Sequence, residues 1–232
     1  MKDRPPVVAR ERFRQRIDEL SNLPMDQVFQ VIHDSNLWGA PESVSGLGSE
    51  MPATARLRAE LPELLHNLGA DVLLDIPCGD FTWLSETALP VSRYIGADIV
   101  DTIVQRNRKR YGREFLRLDL CSDELPRADV VLCRDCLVHL SLAQIEQAIS
   151  NLRRSGSTWL LTTTFLECET NEDIATGDWR MLNFELPPFC WRPPEGVLVE
   201  GCAEAGGGYA DKALGLWRIS ELSYMSGYLH GG

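Results

Sequence analysis

Five short apolar runs separated by helix-like stretches constrain this chain more than any other feature. Residues 72–76 (VLLDI), 94–99 (YIGADI), 115–119 (FLRLD), 129–133 (DVVLC) and 158–164 (TWLLTTT) have the length and composition of buried strands. Residues 82–87, 101–111 and 141–152 between them fit helices. Strand and helix alternating at this pace predict an α/β fold, a mostly parallel sheet with helices on both faces. Right-handed crossovers then gather the carboxyl ends of the first strands at one edge, where such sheets bind ligands.

The flanking segments differ. Phe13, Ile17, Leu20, Val28, Phe29 and Ile32 fall at helical spacing within 7–33, interrupted near Pro24, which predicts two helices. The Gly- and Ser-rich stretch 35–49 predicts a loop, and 52–68 an amphipathic helix stopped by Gly69. Residues 166–196 hold four prolines and Trp179, Phe184, Phe189 and Trp191 with little periodicity. A segment this long and irregular predicts a lid or binding loop. Residues 197–199 and 213–219 predict an antiparallel pair at the sheet edge. The expected organisation is an N-terminal helical extension with a covering loop (1–54) followed by one α/β domain (55–232).

Charge narrows the partners. With 23 basic against 34 acidic residues the net charge is −11, which repels nucleic-acid backbones and anionic membranes. Arg106, Arg108, Lys109 and Arg110 fit the solvated end of a helix better than a basic patch. No run reaches the roughly 18 apolar residues of a membrane helix, and the first residues lack the apolar core of a secretory signal, so a cytoplasmic protein is expected. Seven scattered cysteines suit reduced thiols. Cys133 and Cys136 form a lone C-x-x-C with no second pair, so no metal site is expected.

Three acidic residues close the first three strands. Asp75 leads into Pro77-Cys78-Gly79-Asp80, where Gly79 lets the backbone approach a ligand. One glycine is too few for a pyrophosphate cradle, and an acidic turn suits an uncharged or cationic nucleoside better. Asp98, followed by Ile99, stands where a carboxylate can accept both hydroxyls of an adenosine ribose. Asp119 and Leu120 stand where a carboxylate and an apolar side chain can meet an adenine, or where Asp119 simply caps a turn.

Residues 71–165 resemble the core of class I S-adenosylmethionine-dependent methyltransferases. Asp75-x-Pro77-Cys78-Gly79-Asp80 occupies the place of that family's D-x-G-x-G-x-G loop, with Pro77 for the first glycine and Phe81 for the third. Asp98 takes the place of its ribose acid and Asp119 of its adenine-proximal acid. The P-C-G-D form is similar to that of a bacterial subgroup, as are Trp38-Gly39, Ser45-Gly46-Leu47-Gly48-Ser49, Gly177-Asp178-Trp179-Arg180 and Asp211-Lys212. The resemblance implies a Rossmann-like sheet of seven strands with the last antiparallel, and S-adenosyl-L-methionine as cofactor.

The resemblance also places the segment after the fourth strand, Cys133 to Leu140, beside the sulfonium and the acceptor. His139 is the natural base there and Asp135 a group to orient it or meet an amine, with Arg134 at the cofactor. The bland alternative packs His139 under the next helix and pairs Asp135 with Arg134. Trp38, Ser45, Gly46 and Ser49 can fold over the cofactor's methionine end or serve as a linker. Trp179, Arg180 and Asn183 lie where the family recognises its acceptor. The expected activity is methyl transfer to an oxygen or nitrogen of a small molecule, with oxygen preferred because no N-P-P-Y or D-P-P-Y follows the fourth strand. The alternatives are a non-catalytic cofactor-binding partner subunit and, more weakly, a nicotinamide oxidoreductase. The N-terminal helices can cover the site or build a homodimer, and both readings stay open.

Overall fold

A computed structural model describes residues 4–223. The first helices are α1 (Val8–Arg14), α2 (Ile17–Leu20), α3 (Met25–Asp34) and α4 (Ala55–Asn67). The core continues through β1 (Val72–Asp75), α5 (Thr82–Ser85), β2 (Arg93–Asp98), α6 (Asp101–Tyr111), β3 (Glu114–Arg117), β4 (Val130–Cys133), α7 (Leu142–Ser155) and β5 (Trp159–Phe165). It closes with β6 (Gly196–Val199), α8 (Glu204–Gly207) and β7 (Lys212–Arg218).

The seven strands form one sheet in the order β3-β2-β1-β4-β5-β7-β6. β1 to β5 are mutually parallel, and β7 runs antiparallel to both β5 and β6. The order reverses at β1, so β1 and β4 open a crevice at their carboxyl ends, the switch point where doubly wound sheets bind ligands. β4 and β5 are buried along their whole length, as their unbroken apolar runs require. α7 begins at Ser141, whose hydroxyl accepts the Gln144 N–H, and ends at Gly156 in the left-handed conformation.

Two expectations need correction. The segment 7–33 holds three helices, because the chain turns at Gln15–Arg16 as well as at Pro24. Their apolar residues Phe13, Leu20, Val28 and Ile32 form a small cluster of their own with Leu37. The segment 166–196 is not uniformly a free loop: an aromatic cluster anchors it in the core while many of its other residues are exposed. Phe184, Phe189 and Trp191 are buried, and Phe184 stacks on Trp191 with centroids 4.4 Å apart. The aromatic residues there solve a packing problem, since the crossing from β5 to β6 must cover the sheet without a helix.

Candidate functional site

A cavity of about 1060 Å3, counted to its open mouth, lies at the carboxyl ends of β1, β2 and β4. Asp75, Pro77, Cys78, Gly79, Asp98, Ile99, Leu120 and Arg134 line it, joined by Trp38, Ser45 and Ser49 from the covering loop. α3 closes one side with Met25, Phe29, Ile32 and His33, so this one of the N-terminal helices covers the cavity.

The turn after β1 is held from every direction. Cys78 N–H donates to the Ala97 carbonyl at 2.7 Å, and Asn107 on α6 donates to the Gly79 carbonyl at 2.7 Å. The Asp98 carboxylate accepts from Gly79 N–H at 3.1 Å and from Val100 N–H at 2.9 Å. Gly79 has φ +51°, and a Cβ there would collide with the Ser45 hydroxyl, which accepts the Asp80 N–H at 3.0 Å. This one glycine therefore lets the covering loop close onto the turn. Burial raises Asp98 to about 6 and Asp75 to about 7, the latter against a 2.7 Å hydrogen bond from the Tyr94 hydroxyl. Such carboxyls regain charge when donors or a cation arrive beside them.

These residues fit the nucleoside cofactor that the sequence predicts. Asp98 faces the cavity at the end of β2, where a carboxylate can take ribose hydroxyls. The Trp38 indole N–H in the same wall is buried without a hydrogen-bond partner, a donor left waiting for an acceptor.

A second cavity of about 760 Å3 meets the first across Trp38, Ser45, Asp135 and His139. Pro6, Val7, Val8 and Ala9 roof it, Gly46, Leu47 and Gly48 flank it, and Trp179 and Lys212 complete it. Between the two cavities His139 is buried on the turn Leu137–His139, stacked on Trp38 with centroids 4.7 Å apart. Its Nδ1 lies 2.8 Å from the Asp178 carbonyl, which only an Nδ1–H donor can satisfy. Nε2 therefore carries the free lone pair. Burial lowers this imidazole to about 4, so it is neutral at physiological pH.

Asp135 does not orient His139. Its carboxylate is 2.7 Å from Lys212 Nζ and 3.2 Å from Arg134, and both cations also meet Glu200, at 3.3 and 2.7 Å. Burial opposes its charge, but Lys212 and Arg134 together hold the Asp135 carboxyl well below the usual carboxylate range. Asp135 has φ +51°, uncommon for a residue with a side chain, and its N–H is fixed by Thr163 at 2.8 Å. The paired reading of Asp135 weighed in the sequence is thus the observed one, enlarged by Lys212 and Glu200.

Asp119, Arg180 and Asn183 line neither cavity. Asp119 caps a turn, its carboxylate accepting the Cys121 N–H at 2.7 Å. Arg180 is buried and donates to the carbonyls of Leu137, Leu140 and Glu172, so it braces the His139 turn rather than facing either cavity. Asn183 is buried and bonds to the Cys168 carbonyl. Gly46 reaches only the second cavity. Cys133 is fully buried, and a hydrogen bond that the Cys136 thiol donates to Cys133, together with burial, pushes the Cys136 thiol up, the reverse of what redox exchange needs.

Sequence reasoning missed Asn107, Glu200 and Lys212 as site residues. Glu200 follows an apolar run and Lys212 opens one, and an ionisable group at the edge of a buried strand was the available signal.

Among the described residues no helix is long and apolar enough to cross a membrane. The sequence matches no protein-family model and no curated protein. The fold is similar to that of N-methyltransferase NodS from Bradyrhizobium japonicum WM9, with a TM-score of 0.54 and 15% identity over 74% of this chain and 98% of that one. Magnesium protoporphyrin IX methyltransferase (ChlM) from Synechocystis PCC 6803 with bound SAH superposes with a TM-score of 0.47 and 18% identity, over 62% of this chain and 72% of that one. The chain thus has the Rossmann-like fold of S-adenosylmethionine-dependent methyltransferases.

Proposed function

We propose that this protein transfers a methyl group from S-adenosylmethionine to a hydroxyl oxygen of a small molecule. The observation that carries the reading is the meeting of two cavities at one neutral histidine, with the acid-ended strands β1 and β2 on one side only. Bound in the first cavity, the cofactor would supply an electrophilic methyl on a sulfonium. Asp98 would accept the ribose hydroxyls, Leu120 would pack against the adenine, and Trp38 with Ser45 and Ser49 would meet the methionine end.

The remaining work falls to this chain's own groups. Holding two reactants in line is worth roughly 7–11 kcal/mol of the barrier, and the wall of Trp38, Ser45 and Asp135 does that here. His139 Nε2 takes the acceptor proton, a contribution of about 10²–10⁴-fold. Asp135 is already occupied by Lys212 and Arg134, so it is not free to hold the ammonium form of an amine acceptor. That favours oxygen. The acidic balance of the chain supports a metabolite over a nucleic acid.

Calorimetric titration with S-adenosylhomocysteine, and separately with NADH, tests the reading. Micromolar binding of the first ligand alone is expected. No binding of it by folded protein would overturn the proposal.

A further inference from the structure

The second cavity has walls and a floor of opposite character. Val7 and Val8 of the N-terminal strap, Leu47 of the covering loop, and the rings of Trp38 and Trp179 form its walls. Val8 and Leu47 are 43% and 37% exposed, although large aliphatic side chains at a solvated surface gain nothing unless something apolar covers them. The ionisable groups Asp135, His139 and Lys212 gather at one end, beside the first cavity. We infer that the second cavity is the acceptor subsite and that it takes a phenol, an aromatic ring against the two indoles with its single hydroxyl on the His139 floor.

This assignment rests on the methyltransferase reading above. A saccharide would bring hydroxyls to every wall, and the walls offer it aliphatic carbon and indole faces. A long-chain alcohol would satisfy the walls but not the base. His139 is a weak base at about 4, and a phenol, with a pKa of about 10, lies roughly six powers of ten closer to it than a water-like hydroxyl of about 15.7. In the step itself the phenol oxygen forms its bond to the methyl carbon as the carbon–sulfur bond breaks and its electron pair goes to sulfur. The hydroxyl proton passes to His139 Nε2 and then to solvent, leaving an aryl methyl ether and S-adenosylhomocysteine.

The strap that forms the outer wall is fastened at a distance. Arg4 pairs with Asp211, the Tyr209 hydroxyl donates to the Pro5 carbonyl at 2.6 Å, and Asp211 precedes Lys212 of the floor. The apolar wall is therefore a fixed part of the site.

The test is calorimetric titration of 2-naphthol, and separately of methyl α-glucopyranoside, into protein saturated with S-adenosylhomocysteine. The naphthol is expected to bind and the glucoside not. Val8→Asp, which puts a carboxylate into the apolar mouth, is expected to weaken naphthol binding by about tenfold or more while leaving S-adenosylhomocysteine affinity unchanged. Glucoside binding as tight as naphthol binding would overturn the proposal. So would naphthol binding that is absent in protein that binds S-adenosylhomocysteine, or indifferent to Val8→Asp. Failure to bind S-adenosylhomocysteine at all would instead remove the cofactor reading, and this assignment with it.

Discussion

The two cavities that share His139 are built by different means. The first is made mainly by strand ends and the turns after them, Asp75 with Gly79, Asp98 with Ile99, and Arg134 after β4, so its position follows from the sheet. The second is assembled from six separate stretches: the strap at 6–9, Trp38, the loop at 45–48 and the turn at 135–139, with Trp179 and Lys212 brought in from beyond β5. The contrast separates what a fold supplies from what an individual chain adds. A parallel sheet creates a crevice at its switch point whatever the loops do. A pocket made by loops and a strap carries the specificity, because each piece can change without disturbing the sheet.

The largest effect is expected where the cavities meet. His139→Gln should lower turnover by about 10²–10⁴-fold while S-adenosylhomocysteine still binds. Equal turnover would show that positioning alone suffices. Lys212→Met removes one cation from the ring it forms with Asp135, Glu200 and Arg134 and leaves buried carboxylates under-paired. A loss of about 3–5 kcal/mol in unfolding free energy is expected from chemical denaturation. Unchanged stability would mean that water relieves the ring.

Asp98→Ala acts on the first cavity alone. Two charge-assisted hydrogen bonds to a ribose are worth about 3–4 kcal/mol together, so calorimetry should show S-adenosylhomocysteine affinity falling by about 100-fold or more. If 2-naphthol affinity fell equally, the cavities would not be separable.

The smallest effect concerns pH. Burial raises the Asp98 carboxyl to about 6 in the free protein, and hydroxyl donors favour its charged form. Binding therefore expels a proton below that pH. Affinity should be full near pH 7 and decline by about tenfold as pH falls to 5. The Asp98→Asn variant should lose that dependence. A dependence that persists would point to Asp75, which burial holds at about 7.

The same contrast governs what could be read from the sequence. The strands, the crevice and the acids at 75 and 98 were legible because apolar run length and strand-end position are local signals. The antiparallel pair at the edge was legible for the same reason. Asp119 was not distinguishable from a turn cap, since either use places a carboxylate just past a strand end. Arg180 and Asn183 look like binding groups in a linear string. Only the folded chain shows that Arg180 spends its guanidinium on the carbonyls around the His139 turn. Lys212 and Glu200 were hidden for the opposite reason. Each stands at the edge of an apolar strand, and its partners at 134 and 135 lie more than sixty residues away in sequence, so even the Asp211-Lys212 motif did not show what Lys212 pairs with.

The fastening of Arg4 to Asp211 also bears on how the protein comes to be made. A contact spanning 207 residues forms only after nearly the whole chain exists. The first cavity has its lining residues by Leu140. Lys212 and Trp179 come later, and so does the anchor of the strap. During synthesis the growing chain holds all the lining residues of the first cavity before it has those of the second. A truncated chain ending before β7 would lack Lys212 and the anchor of the strap, and so a complete second cavity.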